Sequence, residues 1–309
     1  MKTAVLINYS SNNGNAAKRW AVIENDIRKM LPPNTCFIPY ETPCNLKNIL
    51  QSLIVCEKTV NFVSAGGDGS LNCLINELAE ITGSGLTKIR IGAIGLGSSN
   101  DFHKPFGKQV RGIPVKIDFT SLKPADAGLV QYQASGENLK RIFVINASLG
   151  FTAMGNLNFN NGDRFTRFLK PRSVQLAILW TIIKTVLRYR NQNLEINCNS
   201  LIRKFKVTNL SIAKNPHVSG NFSYDIFTPP DSGKLGLYLA EDFSRLGIVR
   251  LFYHLSKNRF SKVKNCCVSF IENAEINSAG PVELETDGEV FRGNHFCFSV
   301  LPKALMFAG

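Results

Sequence analysis

Residues 59–72 read TVNFVSAGGDGSLN, and this stretch decides the fold. Thr59–Ala65 is a short run of apolar and β-branched residues, the pattern of a strand buried on both faces. It runs straight into Gly66-Gly67-Asp68-Gly69-Ser70, and Leu71–Ile81 then continues with helical spacing. Three glycines let a backbone approach a ligand closely. A helix starting there aims free N–H groups and a partial positive charge at an anion. No Gly-Lys-Ser/Thr follows, so this is not a Walker loop, and the glycines do not fall as GxGxxG. An aspartate inside such a loop repels phosphate unless it meets a donor or a cation, so Asp68 is a candidate for a Mg²⁺-linked group.

The same punctuation recurs on either side. Thr3–Asn8 (TAVLIN) is a buried-strand run ended by SSNNGN, and Ala16–Met30 carries Trp20, Ile23, Ile27 and Met30 along one helical face. Cys36–Tyr40 reads as a strand, Leu46–Ile54 as a helix and Lys88–Ile94 as a further strand, followed by Gly95-Leu96-Gly97-Ser98-Ser99-Asn100-Asp101-Phe102. Strands alternating with helices predict a parallel sheet covered on both faces, a three-layer α/β domain over residues 1–122. Loops after such strands converge at the carboxyl edge of the sheet, which brings the two glycine loops together.

Beyond about residue 110 the texture changes. Arg141–Asn146, Lys204–Asn209, Lys234–Leu239, Val263–Ile271, Val282–Thr286 and Phe296–Leu301 are short alternating or β-branched runs between turn residues. They predict an all-β, sandwich-like domain over 123–309, interrupted by helices at Ser173–Arg190 and Phe243–Lys257, with a last strand able to pack back on the first domain. Asp287-Gly288-Glu289 lies between two of these runs, and by pattern alone it is a hairpin turn.

The chain of 309 residues carries 36 Lys+Arg against 23 Asp+Glu, a net charge of +13. That field attracts polyanions of any kind. The basic residues cluster with Phe in RFTRFLKPR (164–172), RKFK (203–206) and KNRFSKVK (257–264), which suits a membrane interface as well as a nucleic-acid surface, and equally a solvated basic face. No helix-turn-helix, RRM or finger pattern supports a nucleic-acid partner. The eight cysteines form no CxxC pair. The N-terminal apolar run is too short for a signal peptide, and Val174–Leu187 is broken by polar residues, so a cytoplasmic protein is expected. His103 reads as a surface imidazole.

Taken together and in order, these motifs resemble the diacylglycerol kinase catalytic-domain family, which includes sphingosine kinases and bacterial lipid kinases. GGDGSLN is similar to its GGDGT-x-N signature, GLGSSNDFHKPFG to its PLGTGNDFAR segment, Asn146–Phe151 to the segment opening its second domain, and LETDGE to its DGE motif. The resemblance implies an ATP- and Mg²⁺-dependent kinase that transfers the γ-phosphoryl group to a hydroxyl of a diacylglycerol-like or sphingoid-like lipid, with its active site in a cleft between two domains. It implies nucleotide contacts at Gly66, Gly67, Asp68, Gly69, Ser70, Asn72, Ser98, Asn100 and Asp101. Asn8 and Ser11 stand where an NPxSG-like loop would be, without its Pro and Gly, and Thr42 matches a further contact. It also implies Glu289 as general base, with Asp287 as its partner or a Mg²⁺-linked group. A structural Mg²⁺ held by an Asp-Asp-Gly loop corresponds here to Asp231, although the loop reads Pro230-Asp231-Ser232-Gly233-Lys234.

Competing readings are a kinase of a soluble alcohol such as NAD and an inactive nucleotide- or lipid-binding protein. The expected partner is a lipid at an anionic membrane surface, contacted peripherally, with no specific protein partner. For Ser173–Arg190, packing of its apolar faces against the β-rich domain is favoured. The functional alternative is that this helix and FTRFLKPR rest on a membrane.

Overall fold

The computed structural model describes residues 2–12, 14–40, 43–134, 136–169, 172–198, 201–218 and 222–309. The fold is mixed α/β, and it divides into two compact units: Met1–Ala127 with Pro302–Gly309, and Gly128–Leu301.

In the first unit β1 (Thr3–Asn8), α1 (Asn15–Met30), β2 (Cys36–Tyr40), α2 (Pro43–Val55), β3 (Asn61–Gly66), α3 (Asp68–Thr82) and β4 (Arg90–Gly95) alternate along the chain. The strands are parallel in the order β2-β1-β3-β4. With right-handed crossovers, this order puts α1 on one face and α2 with α3 on the other. Trp20, Ile23 and Ile27 of α1, all at most 2% exposed, pack on Val5, Ile7, Val63 and Ile94. Each such side chain taken from water is worth about 1.5–3 kcal/mol. The chain steps one way from β1 and the other way from β3, so the topological switch point lies between those strands, where α/β sheets open a crevice. Short strands β5 (Gln109–Val110) and β6 (Ile113–Lys116) complete this part, β6 running antiparallel to β4.

The second unit is mostly antiparallel sheet. It takes in β7 (Leu122–Ala134, which begins in the first unit), β8 (Glu137–Phe143), β9 (Asn146–Gly150), α4 (Phe151–Asn161), α5 (Arg164–Leu169), α6 (Val174–Arg188), β10 (Gln192–Cys198) and β11 (Leu201–Ala213). There follow a two-stranded ribbon, β12 (His217–Val218) with β13 (Phe222–Ser223), then β14 (Leu235–Glu241), α7 (Arg245–Ser256), β15 (Cys266–Ile271), β16 (Asn273–Thr286) and β17 (Glu289–Ala308). β11 and β16 each pair with β10 over one half and β9 over the other, with register breaks at Val207/Asn209 and Asn277/Val282. Those breaks bend the sheet around a core of Val130, Phe143, Leu149, Leu210, Leu284 and Phe296.

Three expectations need correction. Lys204–Asn209, Val282–Thr286 and Phe296–Leu301 are parts of strands of 13, 14 and 20 residues, because a bulge shifts the two-residue period and a long strand then reads as pieces. His103 is not on the surface: it is 4% exposed. Ser173–Arg190 does form a helix, but only part of its aliphatic surface is packed: Val186 and Ile182 pack with Phe151, Tyr189 and Ile248, whereas four other residues face out. Leu176, Leu179, Ile183 and Leu187 are 46–59% exposed.

Candidate functional site

The two glycine loops of the first unit are built as one object. Leu96 and Gly97 donate their N–H groups to the Gly66 carbonyl at 2.7 and 3.2 Å. A Cβ on Gly97 would lie 2.6 Å from Gly67 Cα, and one on Gly66 would lie 2.4 Å from Ser70 Oγ. Glycine is required here by close approach. Asp68 joins the loops again: its carboxylate accepts from the N–H groups of Asp101 (2.9 Å) and Phe102 (3.1 Å). Asn100, at φ 52°, donates from Nδ2 to the carbonyls of Gly95 and Gly97, both at 3.1 Å. Asp101 accepts from Ser99 Oγ and Lys104 Nζ, both at 2.7 Å, and is 5% exposed. Ser98 stands exposed beside it.

Helix α3 begins at Gly67 and Asp68 with no side-chain cap, the Ser70 and Leu71 N–H groups closing back on Gly67 O at 3.0 and 3.2 Å, and the positive end of its dipole lies at the glycine loop. At the switch point Asn8 Nδ2 donates to Ser70 Oγ, and Ser11 and Ser70 share a hydrogen bond, both at 2.9 Å. Asn8, Ser11, Gly66–Ser70 and Asn100–Asp101 therefore meet. Asn72, one turn into α3, is buried and accepts from Asn76 Nδ2 at 3.0 Å. Thr42 lies outside the described residues.

Three neighbours had no local signal. Tyr40, whose hydroxyl burial pushes up to about 12, hydrogen-bonds Ser70 and Asn8. Arg19 of α1 holds the second loop through Gly97 O at 2.5 Å. Lys116 donates to Phe102 O at 2.9 Å and lies 4.3 Å from that ring's centroid. Burial brings Lys116 down to about 8, and burial followed by the Lys116 charge takes His103 down to about 3. All three depend on partners remote in sequence.

In the second unit Asp287 (φ 46°) and Gly288 (φ 97°) form the hairpin turn between Thr286 and Glu289, the I′ geometry expected of Asp-Gly. Asp287 is 5% exposed and anchors that turn, accepting from the N–H groups of Val144 (2.8 Å), Ile145 (3.0 Å) and Asn146 (2.9 Å). Beneath it Glu285 accepts from Ser148 Oγ (2.6 Å), Asn146 Nδ2 (3.1 Å) and Gly288 N (2.6 Å). Burial raises Glu285 to about 7. Glu289 is half-buried, within electrostatic reach of Tyr132. Asn146 also lines a small recess of about 40 Å³, walled by Phe151, Ile248, Leu251 and Phe252 with Thr208, Asn209 and Ser211 among its polar groups.

The glycine-loop geometry decides the comparison. Residues 2–129 match the diacylglycerol kinase catalytic domain. This is a kinase family, and the resemblance in the motifs is shown over those residues. The fold extends the likeness over 99% of the chain. A crystal structure described as a diacylglycerol kinase from Bacillus anthracis str. Sterne is 13% identical, with 96% of that chain covered and a TM-score of 0.68. Two further structures from the same strain, described as candidate diacylglycerol kinases, are 14% identical at TM-scores of 0.71 and 0.72, with the same coverage. No curated protein sequence matches the chain.

The donors present do not make a protein-held Mg²⁺ site. Among the described residues no group of three or more His, Cys, Asp or Glu side chains converges. Both oxygens of Asp68 accept backbone N–H groups, and Asp287 is enclosed by three. Around Asp231 the loop's oxygens already hold a cation of the chain's own. Lys214, 7% exposed, donates from Nζ to Pro229 O (2.9 Å), Ser232 Oγ (3.2 Å) and Lys234 O (2.9 Å), while Asp231 stays exposed. A structural Mg²⁺ at Asp231 does not fit this arrangement. No helix of the described residues is long and apolar enough to cross a membrane.

Proposed function

We propose that this chain is an ATP-dependent lipid kinase. The observation that carries the reading is the locked pair of glycine loops at the sheet's switch point, beside an uncapped helix N-terminus, within a stretch that matches the diacylglycerol kinase catalytic domain. Phosphoryl transfer needs alignment and charge neutralisation more than covalent help. In this reading the α3 N-terminus and the backbone of the second loop bind the phosphates of ATP, with Ser70 and exposed Ser98 as hydroxyl donors. Mg²⁺ enters as the counterion of the nucleotide, commonly held through phosphates and few carboxylates, and no step is assigned to it here.

Glu289 takes the acceptor's hydroxyl proton. It is the carboxylate of the turn left half-open, whereas Asp287 and Glu285 are occupied in holding that turn. The acceptor is an alcohol with an apolar body, in keeping with the aromatic and aliphatic lining of the small recess beside Asn146. The test is incubation with ATP·Mg²⁺ and a total lipid extract, read by mass spectrometry for new phospholipids, with NAD in a parallel arm. A new phospholipid that disappears with Glu289→Gln is expected. Phosphorylation of NAD alone, or equal turnover by Glu289→Gln, overturns the reading.

A further inference from the structure

Helix α6 turns much of its aliphatic surface to water. Its inner face mixes small, polar and apolar residues: Ala177, Thr181 and Thr185 are at most 4% exposed, the two hydroxyls donate back to Ala177 O (2.8 Å) and Thr181 O (2.7 Å), and Val186, 8% exposed, packs with Phe151, Tyr189 and Ile248 beside Ile182. Its outer face is aliphatic. Leu176, Leu179, Ile183 and Leu187, spaced by three, four and four residues, form one stripe. Helix α5 extends the patch with Phe165 and Phe168, 49% and 51% exposed, the Phe165 ring meeting Trp180 edge-on at 5.0 Å.

The surroundings select the occupant. Between residues 163 and 190 the sequence has one acid, Asp163, against seven basic residues. That acid is bound to Lys184 at 2.9 Å, which leaves exposed arginines at 164, 167, 172, 188 and 190. Arg172 lies 3.9 Å from the Phe168 ring centroid. A second copy of the chain would bring like charges together across a two-fold contact. An apolar stripe rimmed by arginine matches the boundary between acyl chains and anionic headgroups.

We propose that α5 and the outer stripe of α6 dock on an anionic lipid bilayer, lying in its surface. This rests on, and deepens, the lipid-kinase reading. The experiment is co-sedimentation of the full chain with vesicles of equimolar phosphatidylglycerol and phosphatidylcholine, and with phosphatidylcholine alone. Wild type is expected to bind the anionic vesicles with a strong salt dependence. Leu179→Glu with Ile183→Glu is expected to lose at least about tenfold in affinity. Arg164→Gln with Arg167→Gln and Arg172→Gln loses on the order of a hundredfold, at roughly a factor of five per charge. Both variants keep wild-type turnover of a short-chain, water-soluble diacylglycerol, which shows that they are folded.

Failure of the wild type to bind anionic vesicles, or unchanged binding by the Glu pair, overturns the proposal. So does self-association abolished by the Glu pair without vesicle binding, which would make the occupant a second copy. Vesicle binding without phosphorylation of any lipid leaves the docking standing and removes the kinase reading. Turnover of the soluble lipid without vesicle binding does the opposite.

Discussion

Asp68 and Asp287 invite comparison, since each is followed by glycine and each reads in sequence as chemistry. Both are backbone staples. Asp68 accepts two N–H groups from the second glycine loop and Asp287 three from residues 144–146. They differ in what the staple leaves free. In the first unit it joins two glycine loops, so that in the proposed reading the binding groups are backbone N–H donors. In the second it closes a turn so that the next carboxylate, Glu289, is the open one. A conspicuous aspartate can therefore mark the scaffold of a site while its neighbours act on the ligand.

The comparison can be broken most forcefully at Asp287. Asp287→Ala strands three buried donors and is expected to cost about 4 kcal/mol in urea denaturation; a loss of activity at unchanged stability would restore a direct chemical role.

Glu285 sharpens the same point through pH. Burial raises it from 4.5 to about 7, so between those values the folded chain binds more protons than the unfolded one. Its contribution is fully present below pH 4.5 and is lost as pH rises through 7, a swing of about 3 kcal/mol. Denaturation of wild type against Glu285→Gln across that window should show it, and a pH-independent difference would contradict it.

Gly97→Ala drives a Cβ into Gly67. About 2 kcal/mol of stability should go, with nucleotide affinity falling by calorimetry; an unaffected variant would mean that the loops are not locked.

The smallest effect is expected at Lys214→Met, about 1–2 kcal/mol from orphaned loop oxygens. The wild-type melting temperature should be indifferent to EDTA, and a drop on chelation would return a metal to the Asp231 loop.

The first unit was legible because a buried parallel strand is a local apolar run and a ligand loop after it a local glycine cluster. The strand–loop–helix at 59–81 needed no distant information. Tyr40, Arg19, Lys116 and Lys214 carry no such mark, since each gains its role from partners far along the chain. In α6 the composition was readable but the direction was not: an apolar helix looks the same whichever face it turns inward. The long strands were hidden by their own bends, as at Asn277/Val282.

Strand β17 starts at Glu289 in the second unit and ends within the first, with Met306 and Phe307 opposite Arg90 and Ile91 and Gly309 hydrogen-bonded in both directions to Asp118. During synthesis, then, the parallel sheet must wait with the Arg90–Ile91 end of β4 uncovered, beyond its pairing with β6, while some 170 residues of the other unit (128–301) leave the ribosome. The earliest-made part of the protein is among the last to be finished, and a fusion or deletion at residues 302–309 strikes the front of the molecule.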